Sequence, residues 1–130
     1  MLNSPHQIYQ QSSVQTASGG QLVIMLYEGA IRFTKAGIEG IHNRKYDVAN
    51  TSLKKAQAII HELIAALNYD YAISKELALI YEYLLHKLIE SNMKKSEAAA
   101  KEVMAHLTEL REAWKQLIKG PATAASQSQV

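Results

Sequence analysis

Ala100-Lys101-Glu102-Val103-Met104-Ala105-His106-Leu107-Thr108-Glu109-Leu110-Arg111-Glu112-Ala113-Trp114 places an apolar or small residue at 100, 103, 107, 110 and 114. The spacings alternate between three and four, the interval at which side chains return to one face of an α-helix. Lys101, Glu102, Glu109, Arg111 and Glu112 fall between them, so one face is dry and the other wet. Such a stripe needs other helices to cover it. With Leu117 it predicts a helix over about 96–118.

Three more segments read the same way. Ala49, Leu53, Ala56, Ile60, Leu63 and Leu67 mark a helix over about 46–67. Leu77, Tyr81 (or Ile80), Leu84 and Leu88 mark another over about 73–92. The first segment runs from about Ser18 to His42, opened by Ser18 and Gln21 in the spacing of a capping box. The connections are three to five residues long, and short connections put consecutive helices side by side and antiparallel. The expected fold is all-α, an antiparallel up-down-up-down four-helix bundle over 18–119. Residues 1–17 hold no Lys, Arg, Asp or Glu and read as a flexible arm, with Ile8, Tyr9 and Val14 as its apolar anchors. Gly120-Pro121 reads as a helix stop, and 120–130 as a disordered tail.

The first helix carries more apolar surface than one stripe requires. Leu22 to Tyr27 are six apolar residues in a row and surround the helix. The stripe Leu22, Leu26, Gly29 (or Ala30), Phe33 and Gly37 is assigned to the core. Ile24, Tyr27 and Ile31 fall on the other side, with Met25 at the boundary, and that side is expected to meet the arm or a partner. Met25, Met93 and Met104 are read as core filler.

Composition narrows the function. The chain has 130 residues, a net charge of +2 and no cysteine. Disulfides, thiolate metal sites and cysteine catalysis are excluded, and the small surplus of positive charge makes no nucleic-acid footprint. The N-terminus has no basic stretch and no uncharged apolar run approaches 18 residues, so the expected location is cytoplasmic, without stable membrane insertion. His61-Glu62-Leu63-Ile64-Ala65 lacks the second His of a zinc protease motif. Glu39-Gly40-Ile41-His42 supplies one Glu-x-x-His, whereas a carboxylate-bridged metalloenzyme bundle, the competing reading, needs two. Glu82, His86 and Glu90 share a face and read as helix-stabilising pairs. No nucleophile or phosphate-loop pattern occurs. The residues alone describe a helical binding protein with no catalytic site, metal or cofactor.

Several strings match a known family in its order. They are Tyr9-Gln10-Gln11, Val14-Gln15-Thr16-Ala17-Ser18, Met25-Leu26-Tyr27-Glu28-Gly29-Ala30-Ile31, Lys55-Ala56-Gln57-Ala58-Ile59-Ile60, Tyr81-Glu82-Tyr83-Leu84, Leu88-Ile89-Glu90-Ser91-Asn92 and Leu110-Arg111-Glu112-Ala113-Trp114. From Tyr9 to about Lys119 the chain resembles the flagellar secretion chaperones, the FliS family. The resemblance implies a cytosolic chaperone that binds the disordered C-terminal segment of flagellin in apolar grooves. It implies that premature polymerisation is blocked and that flagellin is delivered to the cytoplasmic domain of the type III export gate. It implies no cofactor, and an arm that covers part of the groove when flagellin is absent. The expected contacts are Ile8, Tyr9 and Val14 in the arm, Ile24, Met25, Tyr27 and Ile31 on the first helix, Ile59 on the second, and Tyr81 and Tyr83 on the third. The chain departs from the family's pattern at Ser12, at Gly19-Gly20-Gln21, and at His86-Lys87, where an Arg pair is usual. Losing two guanidinium forks removes bidentate carboxylate recognition at 86–87.

Overall fold

The computed structural model describes the backbone of residues 19–129 and the side chains of 19–119. The arm expected over 1–17, with Ile8, Tyr9 and Val14, and the Ser18 cap lie outside the described residues. Four helices follow in order: α1 (Gly19–His42), α2 (Tyr46–Ala65), α3 (Ile73–Lys94) and α4 (Glu97–Gln129). α1 packs on α2 and α4, and α3 packs on the same two, which closes a square bundle. Each neighbouring pair is antiparallel. Gly40 lies against Ala49, Gly37 against Leu53 and Gly29 against Ile59, so numbering falls on α1 as it rises on α2. Asn50 on α2 accepts from Asn92 on α3 at 2.8 Å. His42 near the end of α1 meets Glu97 at the start of α4 at 3.4 Å.

Local chemistry sets the helix ends. Arg44 takes a left-handed φ of 58°, and the Lys45 N–H then reaches back to the Gly40 carbonyl at 2.8 Å. That contact satisfies a carbonyl the helix leaves open. Lys95 ends α3 in the same way at φ 51°. The Ser96 hydroxyl then accepts from the Ala99 N–H at 3.2 Å and caps α4. The expected stop at Gly120-Pro121 is not one, since α4 runs through both residues to Gln129. Pro121 forfeits its own N–H bond, but Ala122, Ala124 and Ala125 behind it are strong helix formers.

The α1–α2 contact is the closest in the bundle because glycines permit it. A Cβ on Gly40 would sit 2.8 Å from the Ala49 backbone nitrogen, and one on Gly37 would sit 2.5 Å from Leu53 Cδ2. The inward arc of α1 differs from the expected stripe. Leu26, Tyr27, Ala30, Thr34, Gly37 and Ile41 point in, while Leu22 and Phe33 are half-buried. Phe33 has the Arg32 guanidinium 5.3 Å and the Lys55 ammonium 5.4 Å from its ring centre. No residue of the 22–27 run is exposed, and none of the exposed large hydrophobic residues lies on α1. Of the surplus expected on the first helix, Val23, Ile31, Phe33 and Ile38 are partly buried against the core cluster. Exposed large hydrophobic residues lie instead on α3, on the C-terminal part of α4, on the α2–α3 connection and, with Tyr46 and Val48, at the start of α2.

Candidate functional site

Among the described residues, two apolar openings lie where exposed apolar surface collects. The first is a groove of about 690 Å³ between α3 and α4, with Leu79, Ile80 and Tyr83 on one wall and His106, Leu110 and Ala113 on the other. Leu79 and Ile80 face outward because α3 turns Leu77, Tyr81, Leu84 and Leu88 into the core, and only that stripe is covered. Leu79 is 70% exposed. The second opening is a cup of about 340 Å³ at the end of the bundle where α1 begins. Val23, Leu67, Tyr71, Ile73, Trp114 and Leu117 are among the residues around it. Both openings use the N-terminal half of α3 and α4 between 102 and 117.

Polar groups tie the groove's walls together. The Tyr83 hydroxyl on α3 donates to the Glu102 carboxylate on α4. Lys87 lies 3.2 Å from Glu90 and 3.6 Å from Glu102. The hydrogen bond from Tyr83 holds Glu102 below the usual carboxylate range, with Lys87 acting in the same direction. The same bond raises Tyr83, and the bond to Glu90 raises Lys87. The Lys87 cation is thus engaged inside the chain. His106 lies 3.6 Å from Glu102 and 3.7 Å from Glu109, with the Tyr83 ring edge-on at 6.1 Å.

The expected contact residues separate in the structure. Tyr27 and Tyr81 are 0% and 1% exposed, and Ile59 is buried beside Gly29. These three are corrected from partner contacts to core. The two phenols meet at 2.5 Å across the bundle's diagonal, from α1 to α3. Burial raises both above the ordinary phenol range, and at Tyr27 the Trp114 side chain opposes the rise. Ile24, Met25 and Ile31 are half-buried on α1, away from both openings. Tyr83 alone among the expected residues that are described lines the groove, although Tyr81 touches the inner wall of the cup. Met93, expected in the core, is 80% exposed because it lies off the α3 stripe. Leu79, Leu110, Leu117, Tyr71 and Ile73 were not singled out as contacts. For Leu79 the signal is the run Leu79-Ile80-Tyr81, which is too dense for one stripe.

Among the described residues no group of three His, Asp or Glu side chains is placed to hold a metal ion, and no helix is long and apolar enough to cross a membrane. The openings offer burial and little catalytic chemistry. A profile of the family described as flagellar protein FliS matches residues 1–121. The chain belongs to the FliS family. Flagellar secretion chaperone FliS of Bacillus subtilis (strain 168) is 36% identical over 118 residues, which cover 91% of this chain and 89% of that protein. Flagellar secretion chaperone FliS of Salmonella typhimurium (strain LT2) is 30% identical, covering 85% of this chain and 84% of its own. The Escherichia coli (strain K12) protein of the same name is 28% identical, with 89% and 88% covered. FliS proteins are chaperones and not enzymes, so the metalloenzyme reading is discarded. In this FliS-family bundle the groove and the cup are the sites to be explained.

Proposed function

We propose that the chain is a cytosolic export chaperone for flagellin. It holds the disordered C-terminal segment of flagellin in the openings along α3 and α4, keeps it from polymerising, and presents it to the cytoplasmic domain of the export gate. The observation that carries this reading is the clustering of exposed aliphatic and aromatic side chains at the two openings. Each large side chain covered on binding contributes about 1–3 kcal/mol before ordering costs. A disordered partner can follow both openings because it folds onto them. Residues 1–17 act as a competitor in this scheme. α1 begins at the cup's end of the bundle, where Val23 and Leu117 line the cup and a Cβ on Gly20 would touch Ile118. Ile8, Tyr9 and Val14 supply apolar groups for that surface.

Calorimetry of the full chain with the flagellin C-terminal segment tests the reading. Saturable binding with a clearly negative heat-capacity change is expected, because apolar area leaves water. No binding by a soluble, folded sample would overturn it.

A further inference from the structure

The α3–α4 groove has a charge pattern as well as an apolar floor. Glu102 and Glu109 line it, and no lysine or arginine does. Lys87 lies 3.2 Å from Glu90 and 3.6 Å from Glu102, so it offsets the Glu102 carboxylate and leaves Glu109 to carry the charge of the margin. Glu109 differs from Glu102 in being open. Its side chain is 80% exposed, and the partner it shows is His106 at 3.7 Å. The chain carries a net charge of +2, so this acidic margin runs against the charge of the whole molecule. The α4 wall extends from Glu102 to Ala113. At 1.5 Å per residue this is about 16 Å, the length of about three helical turns.

We propose that the groove selects an amphipathic helix of the partner whose apolar stripe is bordered by lysine or arginine. The stripe lies on Leu79, Ile80, Leu110 and Ala113, and the cation meets the Glu109 carboxylate at the rim. The inference rests on the chaperone reading and adds the sequence character of the segment this groove accepts. A rim ion pair adds little affinity, but a like charge in the same place is rejected, so Glu109 acts mainly on selection.

Two synthetic peptides of roughly 14 residues test this, sharing one Leu stripe and bordered either by Lys or by Glu. Their binding to the full chain is read by fluorescence anisotropy at low ionic strength. The Lys-bordered peptide is expected to bind at least about fivefold tighter, although the net charge of the protein favours the other. Glu109→Gln should bring the ratio below about twofold, and Leu79→Ser should weaken the Lys-bordered peptide about tenfold by removing part of the floor. Leu79 and Glu109 are both exposed, so neither change threatens the fold. Equal binding of the peptides, a preference for the Glu-bordered one, a preference unchanged in Glu109→Gln, or indifference to Leu79→Ser would each overturn the proposal. The flagellin segment is titrated in parallel. If it binds while the peptides are not told apart, charge selection fails and the chaperone reading stands; if it does not bind, the chaperone reading fails by itself.

Discussion

Tyr27 and Tyr81 carry their phenols into the interior, and each hydroxyl is the other's partner there. A buried hydroxyl left alone costs more than a made bond contributes, so the pair is asymmetric under mutation. Tyr27→Phe is expected to cost about 1–3 kcal/mol in urea unfolding, since it orphans the Tyr81 hydroxyl. Tyr27→Phe with Tyr81→Phe should cost less than the sum of the single changes. Additive losses would mean the bond is not what the two residues share. This interior role explains why Tyr27 misleads a reader of the sequence. It sits next to Leu26 in an unbroken apolar run, and such a run has no phase. The hydroxyl of Tyr81 on α3 and the close α1–α2 packing at Gly37 and Gly40 belong to the assembled bundle that buries Tyr27. Nothing in the spacing of apolar residues encodes that approach.

The helices themselves were legible wherever the stripe was narrow. On α2 and α4 the spacing of three and four identifies the buried residues Ala49, Leu53, Ala56, Ile60 and Leu63, and Ala100, Val103 and Leu107. It fails on the outer flank of α3, where Leu79 and Ile80 have no helix over them. Whether an off-stripe aliphatic is covered depends on its neighbours' distance, a property of the assembled bundle. Across α3 and α4, Tyr83, Lys87 and Glu102 form a contact that has a pH dependence. Glu102 is held below its ordinary range in the folded chain. Its contribution is therefore present above the unfolded carboxyl's pKa and is lost as pH falls through the lower folded value. Thermal melts should show Glu102→Gln less stable than the parent at neutral pH, with the gap closing as pH falls below the ordinary carboxylate range. A gap that stays constant between those conditions would show that the Glu102 carboxylate does not stabilise the α3–α4 contact.

At the scale of the whole molecule, apolar surface is unevenly shared. The α1 side is closed by glycine-mediated packing and by the cations over Phe33, while the α3–α4 side stays open along the groove and the cup. The sequence reading placed the partner face on α1, whereas the exposed large hydrophobic residues of the described chain lie on the other helices and the α2–α3 connection. It read α1 for its density of apolar residues, whereas exposure follows from what stands beside each helix. If residues 1–17 compete for the cup, deleting them should leave the helical circular-dichroism spectrum intact. It should also tighten flagellin binding, by about threefold or more, because part of the free population is no longer blocked. Unchanged or weaker binding would make the arm a bystander or a direct contact.

The location of the binding face is open to a single experiment: amide chemical shifts of the labelled chain followed during titration with the flagellin C-terminal segment. The largest changes are expected at Leu79, Ile80, Tyr83, Leu110, Ala113 and Leu117, with Arg32, Lys35 and Lys55 on the α1–α2 side nearly still. Changes concentrated at Ile24 and Ile31 on α1, with the α3–α4 groove silent, would contradict it.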